Sequence, residues 1–459
     1  MTLRNTDDPR PIHFMGIAGA GMAALAELFV MRGIGITGCD SDASGAARVR
    51  ASGIAVEPGH DPAHVEGARA VVVTSAVKKD HAELLRAREL GIPIVRRAEA
   101  LAEAVSGSDV VAIAGTHGKT STTVLATEAL AAAGLAPTGL AGARVSAWSG
   151  NMLAGDDRLF VVEADEFDRS FLALQPTVAV ITNMEADHLD TYVDIDGIRA
   201  AFAEFAGRAR VIVLCADDEG ASSIPLPATA EIVRYGIASN HARLVAAGLR
   251  EMPTGSVFDV VYDGASLGEV ELRMPGRHNV LNALAAIACG LVLGAKVEQM
   301  RAGLARCGGA DRRFQVVGNA RGVTVIDDYA HHPTEIRATL QAARASYPTS
   351  RLVVAFQPHL FSRTRDFAGD FADALAGADV LFLADIYPSR EQPIPGITSA
   401  VIAEPLRKRG HAPAWEGGRT GMAAALAAGA QPGDVVITVG AGDVTLTARE
   451  LLDLLGDAG

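Results

Sequence analysis

Lysine is nearly absent from this chain of 459 residues: Lys78, Lys79, Lys119, Lys296 and Lys408 are the whole set, against 54 aspartates and glutamates. Arginine brings the cations to 41, and the net charge of −13 argues against a general nucleic-acid or anionic-membrane binder, so any phosphate site must be a local device of loop and helix dipole. Cysteine is equally sparse. Cys39, Cys215, Cys289 and Cys307 are scattered without paired spacing, and neither a disulfide framework nor a zinc site is expected. The longest uncharged run, Asn279 to Ala295, is too short to span a bilayer and predicts a buried helix. The opening MTLRNTDDPR lacks the charged-then-apolar order of a secretory leader, so a soluble, cytoplasmic protein is expected. What remains is a chain with 49% hydrophobic residues, ample for a large core, and a length that predicts about three domains.

Strand-like and helix-like patterns alternate along the chain, which predicts doubly wound parallel sheets. The first block has strands expected at Ile12–Met15, Ile34–Gly38, Ala70–Thr74 and Ile92–Ile94, and ends at the linker-like Ser106-Gly107-Ser108-Asp109. A second block runs to about Asp311, with strands expected at Leu159–Glu163, Val178–Thr182 and Val211–Cys215. Its β-rich excursion at Val257–Leu272 carries an Asp263-Gly264 hairpin turn. The third block alternates again, with strands expected at Val323–Ile326, Leu352–Phe356, Val380–Ala384 and Val435–Val439. The expected architecture is α/β with three domains: a Rossmann-like domain at 1–107, a central phosphate-loop ATPase-type domain at 108–311 and a Rossmann-like domain at 312–459.

The most informative stretch is Val110 to Thr123. An apolar strand runs into Gly115-Thr116-His117-Gly118, then Lys119-Thr120-Ser121, then a helix expected over Thr122–Ala133. Backbone N–H groups and a helix N-terminus can wrap a triphosphate there, with the lysine on its outer phosphates and a hydroxyl on Mg²⁺. The usual spacing would put a glycine where Ile113 stands, so the loop is a shortened variant. A solvated lysine in a plain glycine turn is the bland alternative, but lysine is too rare here for that placement to be incidental.

Other clusters lie where ligands gather, beyond the carboxyl ends of parallel strands. Glu163-Ala164-Asp165-Glu166 and Asn183 to His188 supply carboxylates and an imidazole, and Glu163 and His188 are candidate Mg²⁺ ligands beside Thr120. A solvated acidic loop is the alternative. Gly16-Ile17-Ala18-Gly19-Ala20-Gly21-Met22 partly fits a dinucleotide-type fingerprint, with Asp40 ending the next strand. It is a nucleotide-diphosphate site or a tight turn. His278, Asn279 and Asn282 open a helix, either as caps or facing a nucleotide. Arg312-Arg313, the Asp327 to Pro333 segment and the Gln357 to Thr364 segment bring Arg, Asp and His to strand ends of the third block.

In order, the stretches AGTHGKTS, EADEFDRSFL, TNMEADHLDTY, GRHNVLNALAA, RRFQ, DDYAHHPTE, FQPHLFSRTRD and DIYPSREQPIPGITS resemble the Mur ligase family of ATP-dependent amide-forming enzymes, over nearly the whole chain. The last two resemble its alanine-adding branch. The resemblance implies a ligase of peptidoglycan precursor synthesis that phosphorylates the carboxylate of UDP-N-acetylmuramate with ATP and then joins L-alanine to it. Its implied cofactors are ATP and Mg²⁺, two ions per site, and its implied partners are small molecules rather than nucleic acid or membrane. By this likeness Lys119 holds the β/γ-phosphates, Thr120 and Glu163 ligate one Mg²⁺, and His188 serves a second. His278, Asn279 and Asn282 border adenosine; Arg313, Asp327 and His331 complete the ATP site. Tyr329, His359 and Arg363 lie by the amino acid and reacting carboxylate. Gly16, Ala18, Gly19, Gly21, Met22, Asp40 and Ser75 hold the UDP-sugar. Departures from the family pattern are Ala18, Ala20, Leu360, Phe167 and Arg169, and no lysine between Lys119 and Lys296 can supply a carbamylated metal ligand. A tripeptide-adding relative would carry a different segment at FQPHLFSRT. An oxidoreductase built on the first glycine turn would leave the phosphate loop unexplained, and an ATP-binding switch would hydrolyse ATP without any amine.

Overall fold

The computed structural model describes residues 2–74, 77–187, 191–389 and 391–456. Three α/β sheets carry the chain, in two compact units: the first two sheets share one unit and the third sheet forms the core of the other.

The first sheet has β1 (Ile12–Met15), β2 (Ile36–Asp40), β3 (Ala55–Pro58), β4 (Ala70–Val73) and β5 (Ile94–Arg96), all parallel, in the order β3-β2-β1-β4-β5. Two strands begin two residues later than the sequence pattern predicts, for one reason. Ile34 N–H donates to Phe29 O at 3.0 Å and Ile92 N–H to Ala87 O at 2.8 Å. Each isoleucine follows a left-handed glycine, Gly33 or Gly91, and closes the preceding helix rather than opening a strand.

The second sheet is built from β6 (Asp109–Ala114), β7 (Thr138–Val145), β8 (Gly150–Leu153), β9 (Leu159–Glu163), β10 (Val178–Ile181), β11 (Val211–Cys215), β12 (Glu231–Gly236), β13 (Leu244–Met252), β14 (Gly255–Tyr262) and β15 (Ala265–Leu272). Its order is β15-β14-β13-β12-β11-β10-β6-β9-β7-β8. The central strands are parallel, and β10, β11 and the interiors of β6 and β9 are apolar and buried, as double-sided burial requires. Asp263 (φ 48°) and Gly264 (φ 82°) form the expected two-residue turn between β14 and β15. The first two sheets share one apolar core, and Arg32 of the first domain pairs with Asp157 of the second at 2.8 Å.

The third sheet holds β16 (Gln315–Ala320), β17 (Val323–Asp328), β18 (Leu352–Phe356), β19 (Val380–Ala384), β20 (Trp415–Gly417) and β21 (Val435–Val439), ordered β16-β17-β21-β18-β19-β20. Only β16 runs antiparallel to its neighbour. Among the described residues no helix is long and apolar enough to cross a membrane.

The helix Lys119–Ala132, which carries the phosphate loop at its start, packs on the helix Val297–Arg306 so closely that glycine is required between them. A β-carbon on Gly303 would stand 2.2 Å from Glu128 O. Gly303→Ala should therefore lower stability by about 1–3 kcal/mol, the usual cost of overpacking. Gly369→Ala, where an added carbon meets nothing within 4 Å, should be neutral or slightly stabilising. Thermal midpoints of the two variants, compared side by side, check both expectations.

Candidate active site

The first constellation stands at the carboxyl ends of β6, β9 and β10. Gly115 (φ 139°) and Gly118 (φ 82°) turn the chain from β6 into the helix, and neither position has room for a side chain. A β-carbon on Gly115 would fall 2.0 Å from Thr182 Oγ1, and one on Gly118 2.7 Å from Asn282 Oδ1. The loop is tied to the residues after β10. His117 N–H donates to Asn183 Oδ1 at 2.7 Å, and His117 O accepts from Thr182 Oγ1 at 2.7 Å and from Asn183 Nδ2 at 3.0 Å. Thr116 Oγ1 accepts from Glu185 N at 2.9 Å. With Gly118 left-handed just before it, the helix starts at Lys119 rather than Thr122, so Thr120 and Ser121 lie in its first turn, buried.

Lys119 Nζ donates to Gly115 O at 2.7 Å and to both Glu166 oxygens, at 2.7 and 3.0 Å. Burial alone would lower this ammonium; Glu166, Asp165 and Glu163 outweigh it and raise its pKa. The lysine is thus held charged over the loop. Tyr192 fixes the acidic turn from behind, its hydroxyl donating to Glu166 O at 2.6 Å. Glu163 ends β9, and one of its oxygens accepts from Gly142 N–H. A β-carbon on Gly142 would lie 2.5 Å from the other, so β7 cradles this carboxylate with bare backbone. The pairing of Glu166 and the cradle at Gly142 are features the sequence reasoning missed. Neither has a local sequence signal, because each arises where separate strands meet.

At the helix Arg277–Val292, Asn282 Oδ1 accepts from Thr122 Oγ1 at 3.1 Å, and Asn282 Nδ2 donates to Asn279 Oδ1 at 3.2 Å. Both asparagines are buried and lie on one helical face, which the three-residue spacing predicts. His188 and Ser75 lie outside the described residues.

In the first sheet the glycine turn leaves β1 at Gly16 (φ 74°), and Met22 N–H donates to Gly19 O at 2.9 Å as the helix begins. A β-carbon on Gly21 would meet Arg97 Nη1 at 3.1 Å. Asp40 shapes this turn: Oδ2 accepts from Ala18 N–H and Oδ1 from Asp42 N–H, both at 2.8 Å.

The second unit holds the other constellation. Asp327 is almost fully buried, with Oδ1 accepting from Thr438 Oγ1 at 2.7 Å and Oδ2 from Thr445 Oγ1 at 2.7 Å and Arg312 Nε at 3.2 Å. It is an anchor for Arg312, whose Nη2 also donates to Gly440 O at 2.6 Å. The guanidinium carbons of Arg312 and Arg313 lie 4.9 and 5.1 Å from the Tyr329 ring centre. Asp328 accepts from Phe314 N at 2.8 Å and Ala330 N at 2.7 Å, and burial pushes its carboxyl up to about 6. Glu335 joins Arg313 (3.7 Å) to His331 (3.2 Å). Burial, with the Arg313 charge nearby, lowers His278 to about 4 and keeps that ring neutral.

His359, at the end of β18, stacks on Tyr387 with centroids 5.9 Å apart and faces His331 edge-on at 6.0 Å. Leu360 follows at φ 69°, a strained value for a branched residue, held by its N–H on Tyr387 O at 3.0 Å. That kink starts the short helix Phe361–Asp366, in which Arg363 is buried. Glu391 accepts from Ser362 N at 3.0 Å, joining the FQPHLFSRT and YPSREQPIP segments.

Comparison with known proteins bears on all three sheets. Residues 11–109 match the model described as Mur ligase family, catalytic domain; 113–290 the Mur ligase middle domain; and 312–442 the Mur ligase, glutamate ligase domain. The chain is 45% identical over 451 residues to the UDP-N-acetylmuramate–L-alanine ligase of Acidothermus cellulolyticus, covering 96% of this chain and 94% of that one. It superposes on the crystal structure of the UDP-N-acetylmuramate–alanine ligase of Thermotoga maritima with a TM-score of 0.85, at 28% identity, covering 98% and 100% of the two chains. A murein peptide ligase from Psychrobacter arcticus gives a TM-score of 0.74 at 25% identity, over 98% and 99%. With its length covered in this way and its constellations carried on the same fold, the chain belongs to the Mur ligase family.

Proposed function

We infer that the protein joins L-alanine to the carboxylate of UDP-N-acetylmuramate at the expense of ATP, releasing ADP and phosphate, in the making of peptidoglycan precursors. The observation that carries the chemistry is Lys119, charged and fixed over a glycine loop with Glu163 and Glu166 at the next strand end. The choice of amino acid rests on the near full-length likeness to the alanine ligase of Acidothermus cellulolyticus.

The carboxylate oxygen of the muramoyl group attacks the γ-phosphorus, the bond to ADP breaks, and an acyl phosphate results. The amine of alanine, having lost its proton, adds to the acyl carbon, and phosphate leaves with the bonding pair. Little covalent work falls to the protein, so positioning and neutralisation of charge dominate. Lys119 takes the outer phosphates, exchanging part of its hold on Glu166 for theirs. Gly115 to Ser121 offer backbone N–H groups and the helix N-terminus. The hydroxyl of Thr120 and the carboxylate of Glu163 are hard oxygen donors suited to Mg²⁺, and the bare Gly142 backbone beside Glu163 keeps that carboxylate in one orientation. Magnesium held by these donors would offset the charge on the transferring group. A second ion would draw on His188.

Asn279, Asn282 and the neutral His278 border the adenosine in this reading, and Arg313 with His331, both on Glu335, belong to the ATP-binding set. Asp327 acts by fixing Arg312. His359 and Arg363, with Tyr329, bind alanine and the reacting carboxylate. The turn at Gly16, Ala18, Gly19, Gly21 and Met22, shaped by Asp40, takes the UDP group, and the family likeness assigns Ser75 to the same ligand. Dependence on ATP and a nucleotide sugar suits a cytoplasmic location. The likeness to a murein peptide ligase keeps one second reading open, tripeptide addition to the same sugar.

Phosphate release from ATP and Mg²⁺ with UDP-N-acetylmuramate decides between the two. It should require L-alanine and not respond to tripeptide; glycine should support it about 10–200-fold less efficiently, the value of one methyl group in a pocket. Release indifferent to any amine would sink the ligase reading. Lys119→Ala should reduce turnover by at least about 100-fold while UDP-sugar binding, followed calorimetrically, stays intact. Glu166→Gln leaves the lysine without its charged partner and should cut kcat by roughly tenfold with a smaller change in KM for the sugar.

A further inference from the structure

The two faces of the first sheet differ in chemistry. Side chains alternate along a strand, so Phe14 points to the face where Phe29 of the helix Ala20–Met31 packs against it, while His13 and its register partner Thr37 point to the other, with Cys39. Asp40, next in sequence to Cys39, turns back toward the glycine loop. On the His13 face lie the segment after β3, which bears His60 and His64, and the helix Ala82–Glu89, which bears Glu83 and is preceded by His81.

Glu83 has no exposed surface. Its Oε1 is 2.9 Å from His64 Nδ1 and 3.2 Å from Cys39 Sγ; its Oε2 is 3.1 Å from His60 Nδ1 and 3.8 Å from His81 Nδ1. Cys39 Sγ is in turn 3.3 Å from His60 Nδ1 and 3.4 Å from His13 Nε2. One carboxylate, one thiol and four imidazoles thus converge from separate segments, and His13, Cys39 and Glu83 all present donor atoms within 4.8 Å of one another.

Hydrogen bonding alone would satisfy Glu83 with two or three of these groups. The spacing suits something more. An ion bound at about 2.0–2.3 Å by nitrogen, oxygen and sulfur sets its tetrahedral ligands about 3.3–3.8 Å apart. Cys39 Sγ and His60 Nδ1 are 3.3 Å apart and stand 3.2 and 3.1 Å from the two different Glu83 oxygens, at the short edge of that range, and His13 Nε2 adds a fourth donor 3.4 Å from Cys39. The His13 ring is oriented from outside as metal-binding imidazoles are, with Nδ1 on Thr37 Oγ1 at 3.0 Å and Nε2 turned to the cluster. His60 and His81, 30% and 26% exposed, open a path from solvent, while Met15, Val65, Val71 and Leu84 pack an apolar shell behind.

We propose that His13, Cys39, His60 and Glu83 form a binding site for a borderline-soft divalent transition ion of the zinc type, with His64 and His81 as outer partners of Glu83. The site belongs to the first sheet and is separate from the oxygen-lined Thr120 and Glu163 of the second. Binding replaces the Cys39 S–H bond by a metal–sulfur bond, and the proton passes to bulk water.

The test uses the full chain, freed of metal by chelator and titrated with Co²⁺, then Zn²⁺. A thiolate-to-cobalt charge-transfer band saturating at a single ion per chain, and bleached by Zn²⁺, is expected. Cys39→Ser should abolish the band, and Thr37→Val should keep it while weakening cobalt binding about 10–100-fold. His60→Ala, at an exposed position that leaves the core intact, should shift the band and weaken binding at least tenfold; unchanged binding there would overturn the assignment. So would the absence of any band in the unaltered chain, which would make the cluster a hydrogen-bonded network. A band that persists in Cys39→Ser would also overturn it, since the thiolate would then be Cys215, Cys289 or Cys307.

Discussion

A β-carbon on Gly115 would sit 2.0 Å from the Thr182 hydroxyl, and much of the nucleotide machinery is set by that closeness. Because the loop lies pressed on the end of β10, the carbonyl of His117 is fixed by Thr182 and Asn183, and the N–H of the same residue by Asn183. A loop fixed at these points can turn only through the left-handed Gly118, which starts the helix at Lys119 and sends the ammonium back across Gly115 O to Glu166. The helix is then clamped along its length by the glycine contact with its neighbour. Charge placement in the first constellation thus follows from backbone packing, the arrangement that electrostatic preorganisation needs.

The second unit solves the same problem with polar anchors. Asp327 and Asp328 spend their oxygens on Arg312, Thr438, Thr445 and two backbone N–H groups, which fixes the Arg312 to Phe314 turn beside β17. Arg312, Phe314 and Leu360 all have positive φ, as do Asp168 and Arg169 in the acidic turn of the first unit. Such strain is held where surrounding structure over-determines it, and here it falls on the segments that carry the family motifs.

Much of this was legible in the sequence because it is local. The phosphate loop, the EADE acids, the Asp263-Gly264 turn and the parallel alternation are read from neighbours in the chain. Strand starts at Ile36 and Ile94 were not, since the isoleucine that opens each apolar run belongs to a helix cap. Nor was the hold of Asp40 on the turn at Ala18, which joins residues 22 positions apart. The surroundings of Cys39 were not legible either. No second cysteine stands near it in the chain, yet His13 and Cys39 of the parallel sheet, His60 after β3 and Glu83 of the covering helix, each more than twenty positions from the next, meet on one face. Spacing rules see polar groups that share a turn and are blind to those that several segments bring to one sheet face.

The loop after β6 leans on Thr182 and Asn183, and Gly118 on Asn282, far along the chain. Loop closure over such separations is slow and is reached after local helices have formed. During synthesis the lysine emerges before the Thr182 and Asn183 that tie its loop, and these emerge before the Asn282 that meets Gly118, so the loop gains its contacts in two steps. A shortened chain ending before the helix Arg277–Val292 would therefore hold the motif and its first ties but not the contact of Gly118 with Asn282.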